Sequence, residues 1–245
     1  MKKILLTSSL VALGVSQLAF AGEEMAPVVD TSAPSSSPWT LGIEALYLKA
    51  DSEFDSGYES QDRELAYRLS LAYQNGDSWG LRLRYFNFEA TELGSPSDGE
   101  EHGPKVQSID LEAFHGFALG SWQGEYSLGL RYFDLREDYD GKGGDVNYDG
   151  WGPVAGVELV RPFNDTLDFY INARVAYVFG DDDENDTVID TWTYEVGAGI
   201  QCNMTLGDFD GHVRLGVEFQ EWEDLAYNET DGEAFGYVLG FNMGF

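Results

Sequence analysis

The chain has 245 residues, with 44 acidic against 14 basic side chains, a formal net charge of −30 and a pI near 4.1. That charge excludes contact with a nucleic-acid backbone, which needs clustered Lys and Arg, so no nucleic-acid partner is expected. Acidity of this order often accompanies disorder, but 43% apolar and 14% aromatic residues point to an ordered structure that buries those rings.

Residues 1–21 read as a cleaved signal peptide. Lys2 and Lys3 form a basic start, Ile4 to Leu18 is broadly apolar, and Ala19-Phe20-Ala21 supplies the small-x-small pattern before Gly22. Gly22 is not a cysteine, so no lipid attachment is expected at the cut. Residues 22–38, "GEEMAPVVDTSAPSSSP", read as a flexible linker. Beyond it no stretch approaches the 18 to 20 apolar residues of a membrane helix, and the single Cys202 leaves no intrachain disulfide. The export signal then leads either to secretion or to a β-barrel membrane.

From Trp39 the apolar period is two. Leu65, Tyr67, Leu69, Leu71 and Tyr73 alternate with Ala66, Arg68, Ser70 and Ala72, and Leu167 to Phe179 keeps the same beat. Strands are expected near 39–49, 64–74, 79–89, 106–118, 123–135, 148–160, 167–180, 189–203, 210–222 and 234–245. Short turns at 74–78, 119–122, 161–165 and 205–208 alternate with long acidic loops such as "DSEFDSGYESQD" (51–62) and "DDDENDT" (181–187). The fold class predicted over 39–245 is all-β, a single up-and-down antiparallel transmembrane β-barrel. It has about ten strands, eight being the smaller alternative, with short periplasmic turns and long acidic extracellular loops.

An internal repeat, "LRYF" at 83–86 and 130–133, fits hairpin units of two long strands rather than four-stranded propeller blades. Trp39, Trp79 and Trp122 fall on the short-turn side, and Trp151, Trp192 and Trp222 on the long-loop side. Two aromatic girdles are expected from them.

If the apolar beat faces lipid, the lumen receives Glu44, Arg68, Arg82, Arg84, Asp110, Glu112, Arg131, Glu158, Asp168, Arg174, Glu195, Arg214 and Glu218. Antiparallel pairing sets Arg82 and Arg84 opposite Glu112 and Asp110, and Arg131 opposite the same two acids. A lumen charge cluster of Arg68, Arg82, Arg84, Asp110, Glu112 and Arg131 follows. Two readings stay open: a salt-bridged plug that fills a narrow bore, or a charged constriction that filters solutes.

Loosely held divalent cations are conceivable at "DDDEND" (181–186) and "DYDGKGGDVNYD" (138–149). Lys142 occupies a ligand position of the second stretch and no helices flank it, so no specific metal and no cofactor are expected. His102, His115 and His212 show no spacing that pairs them with a nucleophile, so no enzyme is expected. The final strand, "GYVLGFNMGF", places Tyr237, Leu239, Phe241, Met243 and Phe245 on one face, and it looks like the signal that barrel-assembly machinery recognises.

Three stretches, "LRYFNFEAT" (83–91), "SIDLEAFHGFALGSWQGEYSLGLRYFDLRED" (108–138) and "GWGPVAGVELVRPF" (150–163), resemble the Legionella major outer membrane protein family. The resemblance implies a pore-forming barrel of the cell outer membrane with periplasmic termini, surrounded by outer-membrane lipid. The expected function is porin-like passage of small solutes with a cation-favouring mouth. The alternative is a closed structural or surface-binding barrel with a salt-bridge-plugged lumen. The oligomeric state is not legible.

Overall fold

The computed structural model describes residues 38–52, 63–76, 79–89, 105–137, 146–182, 187–207, 209–223 and 231–245. The signal segment, nearly all of the linker and most of the long acidic loops lie outside the described residues, and of the two cation stretches only 146–149 and 181–182 lie within them. The described residues form ten strands and no helix. These are β1 (Trp39–Ser52), β2 (Glu64–Tyr73), β3 (Gly80–Glu89), β4 (Lys105–Leu119), β5 (Trp122–Glu137), β6 (Val146–Pro162), β7 (Leu167–Asp182), β8 (Thr187–Leu206), β9 (Phe209–Glu223) and β10 (Gly232–Gly244).

Each strand pairs antiparallel with its chain neighbours, and β1 pairs with β10 from Thr40↔Gly244 to Ser52↔Gly232, closing the barrel. Closure leaves no strand edge with unpaired backbone groups, the condition for a sheet to cross a membrane. At the short-turn end, Gly76, Gly120 and Gly207 take positive φ of 61°, 60° and 67°, which glycine adopts without steric cost. The β6–β7 turn is held by Asn164, whose Oδ1 accepts from the backbone N–H groups of Thr166 and Leu167 at 2.9 Å.

The period-two pattern fixes which face each side chain meets. Leu65, Leu81, Leu111, Leu128, Val196, Leu215 and Leu239 stand exposed on the outside, making an apolar belt. The belt has a sharp boundary toward the long-loop end. Outward Tyr47 is followed by Lys49, Tyr85 by Asn87, Ile109 by Gln107, Trp151 by Asp149, Trp192 by Asp190, Phe219 by Glu221 and Phe235 by Glu233. An apolar belt bounded by aromatic residues is what hydrocarbon and its interface select. The chain forms a membrane-spanning barrel.

The strands outrun the belt. β8 has 20 residues, about 66 Å of strand at ~3.3 Å per residue, whereas a tilted barrel needs only ~25 Å of apolar height. The excess lies toward the long loops, and there the polarity inverts. Leu46, Leu48, Phe86, Phe88, Val106, Phe133, Leu135, Tyr148, Val178 and Trp222 point inward and form one buried cluster. Beyond the lipid the outer wall meets water, so the apolar side chains turn inside as in any soluble domain. The switch is visible on β3, where outward Leu81, Leu83 and Tyr85 give way to inward Phe86 and Phe88.

β6 carries one irregularity. Its pairing with β7 runs to Trp151↔Phe179 and resumes at Val154↔Ala176, skipping Gly152 and Pro153. Proline has no N–H to give the ladder. At Gly152 the wall closes so tightly that a Cβ would lie 1.7 Å from the Tyr177 carbonyl oxygen.

Candidate functional site

Within the belt the bore is filled by arginines and carboxylates. Register sets Arg82 opposite Glu112 and Arg84 opposite Asp110, as the position sums require, and Glu44 opposite Arg68. Arg131 stands opposite Asp110 alone; Gly129 is the partner of Glu112. The expectation that Arg131 meets both acids is therefore corrected: one residue of a strand faces one residue of the next, and Glu112 turns to Arg82 and Arg174 instead.

Arg131 grips Asp110 with two bonds, Nε to Oδ1 at 2.7 Å and Nη2 to Oδ2 at 2.8 Å. The same Nη2 donates to Glu195 Oε1 at 2.6 Å, and Nη1 donates to Thr193 Oγ1 at 2.7 Å. Arg84 joins Asp110 at 3.2 Å and also binds Glu195. Arg68 donates to Glu44 at 2.6 Å, to Glu218 at 2.5 Å and to Glu195 at 3.4 Å. Glu195 on β8 thus accepts from arginines on β2, β3 and β5. All six residues of the predicted charge cluster belong to this network, Arg82 through Glu112.

Toward the short turns a second tier follows. Arg82 spans Glu112 at 2.9 Å and Glu125 at 2.7 Å, and Arg174 binds Glu112. Arg214 forks onto Glu158 at 2.9 and 2.5 Å and donates to Gln201 at 3.1 Å. Asp168 accepts from Gln201 at 2.9 Å and Asn203 at 2.8 Å. A cavity of about 30 Å³ lies among Arg82, Glu125, Ser127, Glu158, Asn172 and Arg174, room for one or two waters.

The physics of such a cluster is lopsided. Desolvating so many charges is costly, and their mutual attraction offsets that cost only when lone pairs and N–H groups are matched. The matched network contributes little net stability but defines one arrangement of the bore. Removing a single member leaves its buried partners with fewer acceptors or donors than their charge requires.

Glu125, Thr193, Gln201 and Asn203 join the site without having been singled out. Glu125 shares the inward parity of Arg131 on β5, so its place was readable. The bonds that cross the bore have no counterpart in local spacing.

Of the six tryptophans, five point outward. Trp39 packs on Tyr73, Trp79 stacks on His115, Trp122 lies under Arg161, Trp151 meets Tyr132 and Trp192 meets Tyr177. Trp222 corrects the girdle assignment. On β9 the outward residues are odd-numbered, Leu215 and Val217, so Trp222 turns inward, 6% exposed, into the apolar cluster. At the last strand Tyr237, Leu239, Phe241 and Phe245 are exposed outward and Met243 half-exposed on the same face. His115 belongs to the outer short-turn rim, and His212 faces inward opposite Asn203 and Asn242. Among the described residues no group of three or more His, Cys, Asp or Glu is placed to hold a metal ion.

No protein-family model and no curated protein matches the chain. Solved structures do. Neisserial surface protein A (NspA) is 15% identical over 85% of this chain and 98% of its own, with a TM-score of 0.40. The outer membrane protease OmpT from Escherichia coli is 7% identical over 86% and 98%, with a TM-score of 0.43. The outer membrane protein OprG from Pseudomonas aeruginosa is 14% identical over 85% and 97%, with a TM-score of 0.37.

Proposed function

We propose that the chain is an outer-membrane β-barrel whose bore is closed, and that it serves as a structural or surface-binding barrel holding acidic loops outside the cell. The observation that carries this reading is Glu195, held by Arg68, Arg84 and Arg131 from three other strands. An ion-paired tier of this kind under an apolar tier presents any solute with a desolvation barrier at two successive levels. The segments between strands at the long-loop end, 53–62, 90–104, 138–145, 183–186 and 224–230, contain Lys142 as their one Lys or Arg among many carboxylates. That composition suits loose divalent cations or a basic partner. In this reading the chain is exported through its N-terminal signal and inserted by barrel-assembly machinery reading the Tyr237-to-Phe245 strand. It performs no catalysis and keeps no cofactor. Sugar-driven swelling of vesicles containing the purified protein tests closure: none is expected, and swelling above protein-free vesicles overturns it.

The second reading is the porin-like one implied by the resemblance to the Legionella major outer membrane protein family. One observation favours a cation preference if the bore opens. Among the described residues of the belt, eight carboxylates (Glu44, Asp110, Glu112, Glu125, Glu158, Asp168, Glu195, Glu218) share the interior with six arginines. Passage then requires the Glu195 contacts to part.

A further inference from the structure

We propose that the outer wall carries a binding surface for phosphorylated anionic lipid, an arc of basic side chains on β1 to β5 at the long-loop edge of the apolar belt. The proposal rests on the membrane-spanning reading above.

The chain has 14 Lys and Arg against 44 Asp and Glu, so chance would scatter its few outward bases. Among the described residues four of the five outward bases gather at one edge, and Arg161 alone lies at the opposite rim. Lys49 on β1, Arg63 at the start of β2, Lys105 on β4 and Arg136 on β5 all face outward just beyond the last apolar residues of the belt. At the same level the other arc carries Asp149, Asp190, Glu221 and Glu233 on β6, β8, β9 and β10. Outward Glu89 on β3 and Asp134 on β5 share the first arc, so at headgroup level the wall is on balance basic from β1 to β5 and acidic from β6 to β10.

Two local features bear on what the arc can hold. Lys105 and Arg136 are direct register partners, so two cations stand side by side on one face, an arrangement that is destabilising by itself. Glu89 approaches Lys105 only to 3.8 Å, with both side chains open to solvent, and Arg136 forks onto Asp134 at 3.0 and 2.9 Å on the same outward face, while the Arg136 side chain stays 62% exposed and open to a further acceptor. Further along the arc, the Arg63 guanidinium lies 5.3 Å from the ring centroid of Tyr237. Stacking on an interfacial ring holds the cation at headgroup depth. A phosphoryl group, with several acceptor oxygens and negative charge, offsets the repulsion and suits both Lys and Arg donors. A sugar or zwitterionic headgroup lacks that net charge.

The test uses full-length protein folded into phosphatidylcholine vesicles with and without phosphatidic acid, extracted gently and weighed with its retained lipids by native mass spectrometry. The wild type is expected to retain phosphatidic acid over phosphatidylcholine. Lys49→Gln with Arg63→Gln, and separately Lys105→Gln with Arg136→Gln, are each expected to lower that preference by about fivefold per charge removed. Arg161→Gln, at the opposite rim, is expected to leave it unchanged. Equal retention of the two lipids by the folded wild type, or an equal loss in Arg161→Gln, overturns the proposal while leaving the barrel reading intact. Failure of the wild type to insert at all overturns both. Inorganic phosphate raises the melting temperature less than phosphatidic acid does if lipid is the occupant; equal effects overturn the lipid assignment.

Discussion

Arg84 on β3 and Glu195 on β8 are joined across the bore, and these two strands lie five positions apart in either direction round the ten-membered ring. A contact between the farthest walls puts a bond straight across the bore at this level. Arg68 and Arg131 meet the same carboxylate from two further strands. Glu195 is therefore the acceptor that three other strands share across the bore.

Removing that carboxylate takes one acceptor from each of three buried arginines, leaving Arg68 on Glu44 and Glu218 and both Arg84 and Arg131 on Asp110. Glu195→Ala is expected to lower unfolding stability by roughly 1–3 kcal/mol, the cost of buried N–H donors left without their acceptor. Urea titration of the protein folded in vesicles measures it, and an unchanged midpoint contradicts the network described here.

The outer face behaves in the opposite sense. Leu128 is 57% exposed, and on a water-facing wall Leu128→Arg would change stability by less than about 0.5 kcal/mol. In the middle of the lipid belt it is expected to cost about 2–4 kcal/mol. The same vesicle titration decides between the two, and a neutral result removes the belt from the membrane.

The wall and its parity were legible because both are local. Alternation from Leu65 to Tyr73 marks a strand and its lipid face at once, and antiparallel pairing converts a turn position into the Arg84–Asp110 register by arithmetic. The Arg84–Glu195 bond was not legible, since curvature of the whole ring brings those residues together and no spacing along the chain encodes it. Trp222 was misplaced because proximity to a strand end was read without its parity. The parity itself was in the sequence: after Leu83 and Tyr85 the apolar beat moves to Phe86 and Phe88, the mark of a barrel leaving the lipid.

That inversion has a spectroscopic consequence. With the other tryptophans replaced by Phe, brominated lipid is expected to quench Trp151, which is 60% exposed, and to leave Trp222 bright. Equal quenching of the two returns Trp222 to the girdle.

At Gly152 the wall has no room for a methyl group, whose carbon would stand 1.7 Å from the Tyr177 oxygen. Gly152→Ala is expected to push β6 from β7 and cost roughly 1–3 kcal/mol, read as loss of the compact, heat-modifiable band on unboiled gels. A band of wild-type intensity and melting temperature contradicts the close approach.

The closed bore is tested most directly by planar-bilayer recording of the purified full-length protein beside Arg84→Ala/Arg131→Ala. The wild type is expected to show no conductance above the lipid baseline, and the double variant, which keeps only Arg68 of the three arginines on Glu195, to leak. Steady wild-type conductance, unchanged in the double variant, would contradict a bore closed by this network.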